Sequence, residues 1–134
     1  MKGFAILAVV MIVFIRLIAR YGSMSDVSVG PLKRSIRRAK KRIRPLLNSR
    51  FPNINVSSFG AIEIDPQYLC LCIDTTTDAE KDTLQHDTDL LEQMRQEFVD
   101  AGYPADSVPL IAFSIESQET VDRDFGGSWW TARK

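Results

Sequence analysis

Few residues in this chain are of types that do chemistry near neutral pH, and their spacing suits it poorly. His86 is the only histidine. Gln85 and Asp87 flank it, which places it on the solvated side of a helix. A histidine base needs an orienting partner and a nucleophile within hydrogen-bond reach, and no neighbouring residue pattern supplies them. Cys70 and Cys72 stand two apart. On a strand they share a face and are badly placed to bridge each other. A zinc site wants about four ligands, and Cys-x-Cys with one histidine falls short. Two cysteines build no disulfide framework, which fits a reducing cytoplasm. Glu63, Asp65, Glu116, Asp122 and Asp124 read as solvated strand ends, and no spacing marks a carboxylate pair. Gly126-Gly127 lacks the following helix and the lysine of a phosphate loop. These residues predict no catalysis, no cofactor and no bound metal.

The binding chemistry is more informative. Leu32 to Arg50 carries nine bases and no acid: Lys33, Arg34, Arg37, Arg38, Lys40, Lys41, Arg42, Arg44 and Arg50. Phe51 to Lys134 has five bases against sixteen acids, a charge of −11 beneath an overall formal charge of zero. Halves of opposite sign point to internal neutralisation or to two partners of opposite charge. Arg37, Arg38, Lys40 and Lys41 form the centre of a patch suited to an anionic surface. Trp129 and Trp130 are adjacent, and on a strand they would point to opposite faces. One would pack under the helices. The other would join Tyr68, Phe59 and Glu63 on an open sheet face, where exposed aromatics act as binding anchors. A second copy of the chain is another candidate to cover that face.

Elements that position these residues follow from periodicity. Leu32, Ile36, Ala39, Ile43, Leu46 and Leu47 recur at spacings of three and four, one stripe of a helix with Pro31 in its first turn. Pro45 predicts a kink or an end. Val56–Ile64 and Tyr68–Asp74 read as a hairpin around Asp65-Pro66-Gln67-Tyr68, with Ile62 opposite Leu71 and Glu63 opposite Cys70. Thr77 and Glu80 form a capping box that opens a helix to about Ala101, stopped by Gly102 and Pro104. Val108–Ile115 is a third strand, Ser117–Asp124 a short helix or loop, and Ser128–Ala132 a last strand. The expected fold is a two-layer α+β domain of order α-β-β-α-β-β, its sheet mainly antiparallel and covered on one face.

The first twenty-three residues differ from the rest. Phe4–Ile15 is apolar throughout, and Arg16 and Arg20 follow. This is a short candidate for a membrane-spanning helix; a cleaved signal peptide is the rival. Charge asymmetry around an anchor at residues 4–19 would put the following domain in the cytoplasm, at the inner membrane of a bacterium. Gly22-Ser23-Met24 also reads as a junction before a second start, which would make residues 1–23 a non-native extension and 24–134 the domain.

In size, acidity and α+β class, the domain resembles bacterial immunity proteins, small inhibitors that neutralise a basic toxin domain in the cytoplasm. The resemblance implies a non-catalytic protein-binding module with a basic protein partner. The alternative is an anionic-surface binder acting through residues 32–50, on a membrane or on RNA. RNA is the weaker of these, because the helix lacks interleaved aromatics and the sheet face carries acids.

Overall fold

A computed structural model describes residues 29–134. The apolar helix expected within residues 1–23 lies outside them. The first described helix, α1 (Val29–Asn48), buries Leu32, Ser35, Ile36, Ala39, Ile43 and Leu47. That is the stripe the periodicity predicts, with Leu46 half-buried beside it. Val29 and Gly30, ahead of Pro31, already belong to the helix. Pro45 does not end it. The helix closes three residues later, and buried Leu47 holds the last turn against the core.

β1 (Asn55–Phe59) and β2 (Cys70–Thr75) pair antiparallel, with Val56 opposite Ile73 and Phe59 opposite Cys70. The expected hairpin therefore slips by four residues. An even slip preserves which side chains share a face, so Leu71 and Ile73 still point into the core. A tight type I turn at Asp65–Tyr68 has the wrong twist to join two strands. Residues 60–69 form a longer connection instead. Asp65 accepts from the Gln67 N–H at 3.0 Å and caps a 3-10 turn, Pro66–Tyr68. Ile62 is buried from within this connection, not from a strand.

The helix expected from Thr77 to Ala101 is two. Thr77 caps α2 (Asp78–His86) with the predicted box, Thr77 Oγ1 accepting from the Glu80 N–H at 3.1 Å. Asp87 then breaks the helix and caps α3 (Thr88–Asp100), accepting from the Leu90 N–H at 3.0 Å. A side chain that can replace lost backbone bonds favours a restart over continuation. β3 (Ala112–Ser117) follows a 3-10 turn at Val108–Leu110, so it starts later than expected. It pairs parallel to β2, Leu71 with Phe113 and Ile73 with Ile115. The sheet is thus three-stranded and mixed, in the order β1-β2-β3. Antiparallel neighbours can be joined by a turn, whereas a helical crossover returns the chain to start a parallel strand.

α4 (Gln118–Asp124) follows, then Gly126 and Gly127, both at positive φ. The expected last strand is a short helix, α5 (Trp129–Ala132). Ser128 caps it by accepting from the Thr131 N–H at 3.2 Å. The core joins α1, α3 and the Leu71–Ile73 face of the sheet. Helices do not cover that face alone: the C-terminal segment reaches the other one through Arg133, which donates to Ser114 Oγ at 3.3 Å. Arg133 also meets Asp74 there as an ion pair without hydrogen-bond alignment. Among the described residues, then, five helices surround a mixed sheet, an α+β architecture.

Candidate binding groove

The cations of α1 fall into rows because a helix turns 3.6 residues per turn. Lys33, Arg37, Lys40 and Arg44 occupy one row, at spacings of four, three and four. This row runs along β1. Arg44 Nη2 donates to the Val56 carbonyl at 3.4 Å. Further along, Lys33, Arg37 and Lys40 line a cleft of about 390 Å³ whose opposite wall is Ser58, Phe59 and Gly60, with Ile36, Ile62 and Leu69 as its apolar surface. Glu63 is the one acid on its lining.

Charge in the cleft is not neutralised from within. Of the nine bases between Leu32 and Arg50, only two form ion pairs among the described residues: Arg42 with Glu97 at 3.7 Å and Arg50 with Asp87 at 2.5 Å. The Lys40 ammonium has its pKa lowered, chiefly by burial, with Arg44 and Arg37 adding like-charge repulsion. A lowered lysine pKa beside two guanidiniums means that an anion brought there would relieve repulsion as well as gain attraction.

Beside the cleft lies an apolar patch. Phe59 is 55% exposed, Ile64 55% and Tyr68 53%. Their backbone is held by Gly60, whose φ is +139° and at which a Cβ would lie 2.1 Å from the Tyr68 carbonyl oxygen. The Tyr103 hydroxyl donates to the Pro66 carbonyl and ties the connection to the core. Burial, and secondarily Asp65, push the Tyr103 phenol up to about 12.

The structure therefore joins parts of two sets that the sequence kept apart. Arg37 and Lys40 share a cleft with Phe59 and Glu63, and Tyr68 adjoins it. Arg38 and Lys41 are exposed on α1 but outside the lining. Trp129 and Trp130 belong to a separate surface, and as successive helical residues they do not face opposite ways across a sheet. The Trp129 indole donates to Gln118 Oε1 at 2.9 Å and lies 5.0 Å beneath the Arg133 guanidinium. Trp130 is 77% exposed. Lys33, Ile36, Ser58, Gly60, Ile62 and Leu69 were missed as groove residues. Lys33 was legible, since it lies one helical turn before Arg37; the others required the true β1–β2 connection.

Elsewhere polar groups are tied into the fold. Asp78, at the start of α2, accepts from the Ser117 hydroxyl, from Thr120 Oγ1 at 2.6 Å and from Arg123 Nη1 at 2.9 Å. Those bonds, led by the one from Ser117, hold its carboxyl well below the usual range. Glu116 pairs with Lys81 at 2.7 Å, and Asp124 with Arg123 at 3.3 Å. Cys70 and Cys72 share the face opposite the core, and burial pushes the Cys72 thiol up to about 11, making thiolate chemistry unfavourable there. His86 Nδ1 lies 2.8 Å from the Asp82 carbonyl on the exposed side of α2. Among the described residues no three His, Cys, Asp or Glu side chains group as metal ligands. No described helix is long and apolar enough to cross a membrane. A second cleft, of about 450 Å³, lies between α3 and the Val108–Leu110 turn, with Glu92, Val99 and Pro109 on its walls. Its cation is engaged: Arg95 donates to the carbonyls of Val108 at 2.8 Å and Ile111 at 3.0 Å and sits over Phe113.

No protein-family model, curated protein or solved structure matches this chain.

Proposed function

We propose that this domain is a non-catalytic protein-binding module and that the α1–β1 groove is its working surface. One observation carries the reading: cations with no carboxylate partner among the described residues, an exposed aromatic patch and an open strand edge meet in one place. Apolar area supplies affinity there, and unpaired charge supplies steering and register. The free charge of this groove is positive, which favours an anionic partner surface.

The immunity-type form of the reading expects a basic partner. Acidic residues available to it lie on the exposed side of α3, where Asp89, Glu92 and Asp100 are solvated. A membrane form draws on the same α1 row: Arg37, Arg38, Lys40 and Lys41 beside exposed Phe59 and Tyr68 suit an anionic lipid surface. Two variants separate the forms. Partners captured from the native cell by the full chain are compared with those captured by Lys33→Gln/Arg37→Gln/Lys40→Gln and by Asp89→Asn/Glu92→Gln/Asp100→Asn. The groove reading expects the main partner to be lost from the first variant and kept by the second. The reverse pattern would move the surface to α3. Loss of anionic-vesicle binding alone, with no protein partner, would favour the membrane form.

A further inference from the structure

β1 has a neighbour on one side only, so it is an edge strand. An edge strand presents unpaired N–H and C=O groups that template another strand unless something blocks them. Here the blocking is partial. Arg44 reaches the Val56 carbonyl, which marks Val56 as a residue whose backbone groups point away from β2. In an antiparallel pair this alternates, so the Ser58 groups point outward as well. They open on the cleft that Ser58, Phe59 and Gly60 line, across from α1.

The opposite wall carries cations at a somewhat shorter repeat, which long flexible side chains can span. Along α1 the rise from Lys33 to Arg37 is about 6 Å and from Arg37 to Lys40 about 4.5 Å, at 1.5 Å per residue. Alternate side chains of an extended strand are about 6.7 Å apart. α1 and β1 run in opposite senses, since Arg44 meets Val56 while Lys33 and Lys40 lie by Ser58 to Gly60. A strand added to β1 would thus present every second side chain to the row of cations.

We propose that the groove binds an extended acidic segment of a partner protein by adding it to β1 as a fourth strand. The inference rests on the protein-binding reading and names the partner's form. Backbone bonds to the Val56 N–H and to both Ser58 backbone groups give the strand its register, and carboxylates at alternate positions meet Lys33, Arg37 and Lys40. Glu63, on the lining, selects against a segment acidic at every position. Exposed Phe59 lies on the sheet face shared with Cys70, where it can cover the strand's other side chains.

The test selects eight-residue peptides from a randomised display library against the full chain in a neutral detergent. The expected enrichment is for acids at alternating positions. Binding of the selected peptide should fall at least tenfold when alternate backbone amides are N-methylated, because a methylated strand cannot pair. It should fall similarly with Lys33→Gln/Arg37→Gln/Lys40→Gln, and the Ser58 amide should gain protection from hydrogen exchange. Selected peptides that are basic or of no consistent charge would overturn the proposal. So would full binding after N-methylation, or protection elsewhere in the chain. In any of these cases the protein-binding reading would still stand if the groove variant loses its native partner, and would fall if it does not. Binding of the full chain to phosphatidylglycerol vesicles, abolished by the same variant, with no peptide enriched, would transfer the groove to a lipid surface.

Discussion

Gly60 is the residue on which the groove's geometry most depends. Its positive φ alone would cost a non-glycine residue about 1–3 kcal/mol. A Cβ would also collide with the Tyr68 backbone, which cannot swing away as a flexible side chain could. Gly60→Ala is therefore expected to lower stability by at least about 2 kcal/mol, read from urea midpoints. A change below about 0.5 kcal/mol would mean that the β1–β2 connection is placed wrongly. The tryptophans behave differently from each other. Trp130→Ala should leave stability within about 0.5 kcal/mol, as for an exposed site. Trp129→Ala should cost about 1–2 kcal/mol, for its hydrogen bond to Gln118 and its contact with Arg133. Iodide quenching should find Trp130 accessible and Trp129 shielded; two equally quenched indoles would contradict this placement. Neither residue's position was readable from the strand pattern, because Ser128 looked like the start of a strand and is a helix cap.

Elements were legible where local chemistry decides. The α1 stripe and the Thr77–Glu80 box both form as their sequences require. Pairing depends on what the chain does between elements, and there the pattern was ambiguous. Leu71 and Ile73 fit a core face in either register, so only the Gly60 backbone and the capped turn at Asp65 choose between them. A helical segment between two strands signalled a parallel crossover, and that signal outweighs hairpin continuity. The α2 and α4 starts are joined at Asp78, and this junction has a pH dependence. The Asp78 carboxyl is held well below its ordinary value of 3.8 by Ser117, Thr120 and Arg123. The unfolded chain therefore takes up a proton before the folded one does. The contribution is present above the ordinary value and is lost as pH falls through it towards the folded value. The urea midpoint should fall between pH 5 and pH 3, on the scale of about one carboxylate's linkage, and Asp78→Asn should flatten that slope. An unchanged slope would place the acid sensitivity elsewhere.

Across the whole fold, the described core draws on residues from Leu32 to Val121. A chain beginning at Met24 should therefore melt cooperatively with a midpoint within a few degrees of that of the full chain, measured by circular dichroism. Loss of a cooperative transition would show that the apolar segment completes the fold. The charge asymmetry also reads differently at this scale. Many acids after Phe51 are engaged in caps and ion pairs, at Asp78, Glu80, Asp87 and Glu116, whereas most cations of α1 have no such partner among the described residues. The sequence pattern favoured the acidic body and a basic partner; among the described residues the fold leaves positive charge concentrated beside an open strand edge.

We propose the α1–β1 groove as the place where this domain meets its partner. Site-specific photo-crosslinking in the native cell tests it most directly, with Phe59 and, separately, Trp130 replaced by benzoylphenylalanine in the full chain. A discrete protein adduct is expected from position 59. That adduct should disappear with Lys33→Gln/Arg37→Gln/Lys40→Gln, while position 130 gives none of comparable yield. A protein adduct from position 130 that survives the groove substitutions, with position 59 silent, would contradict it.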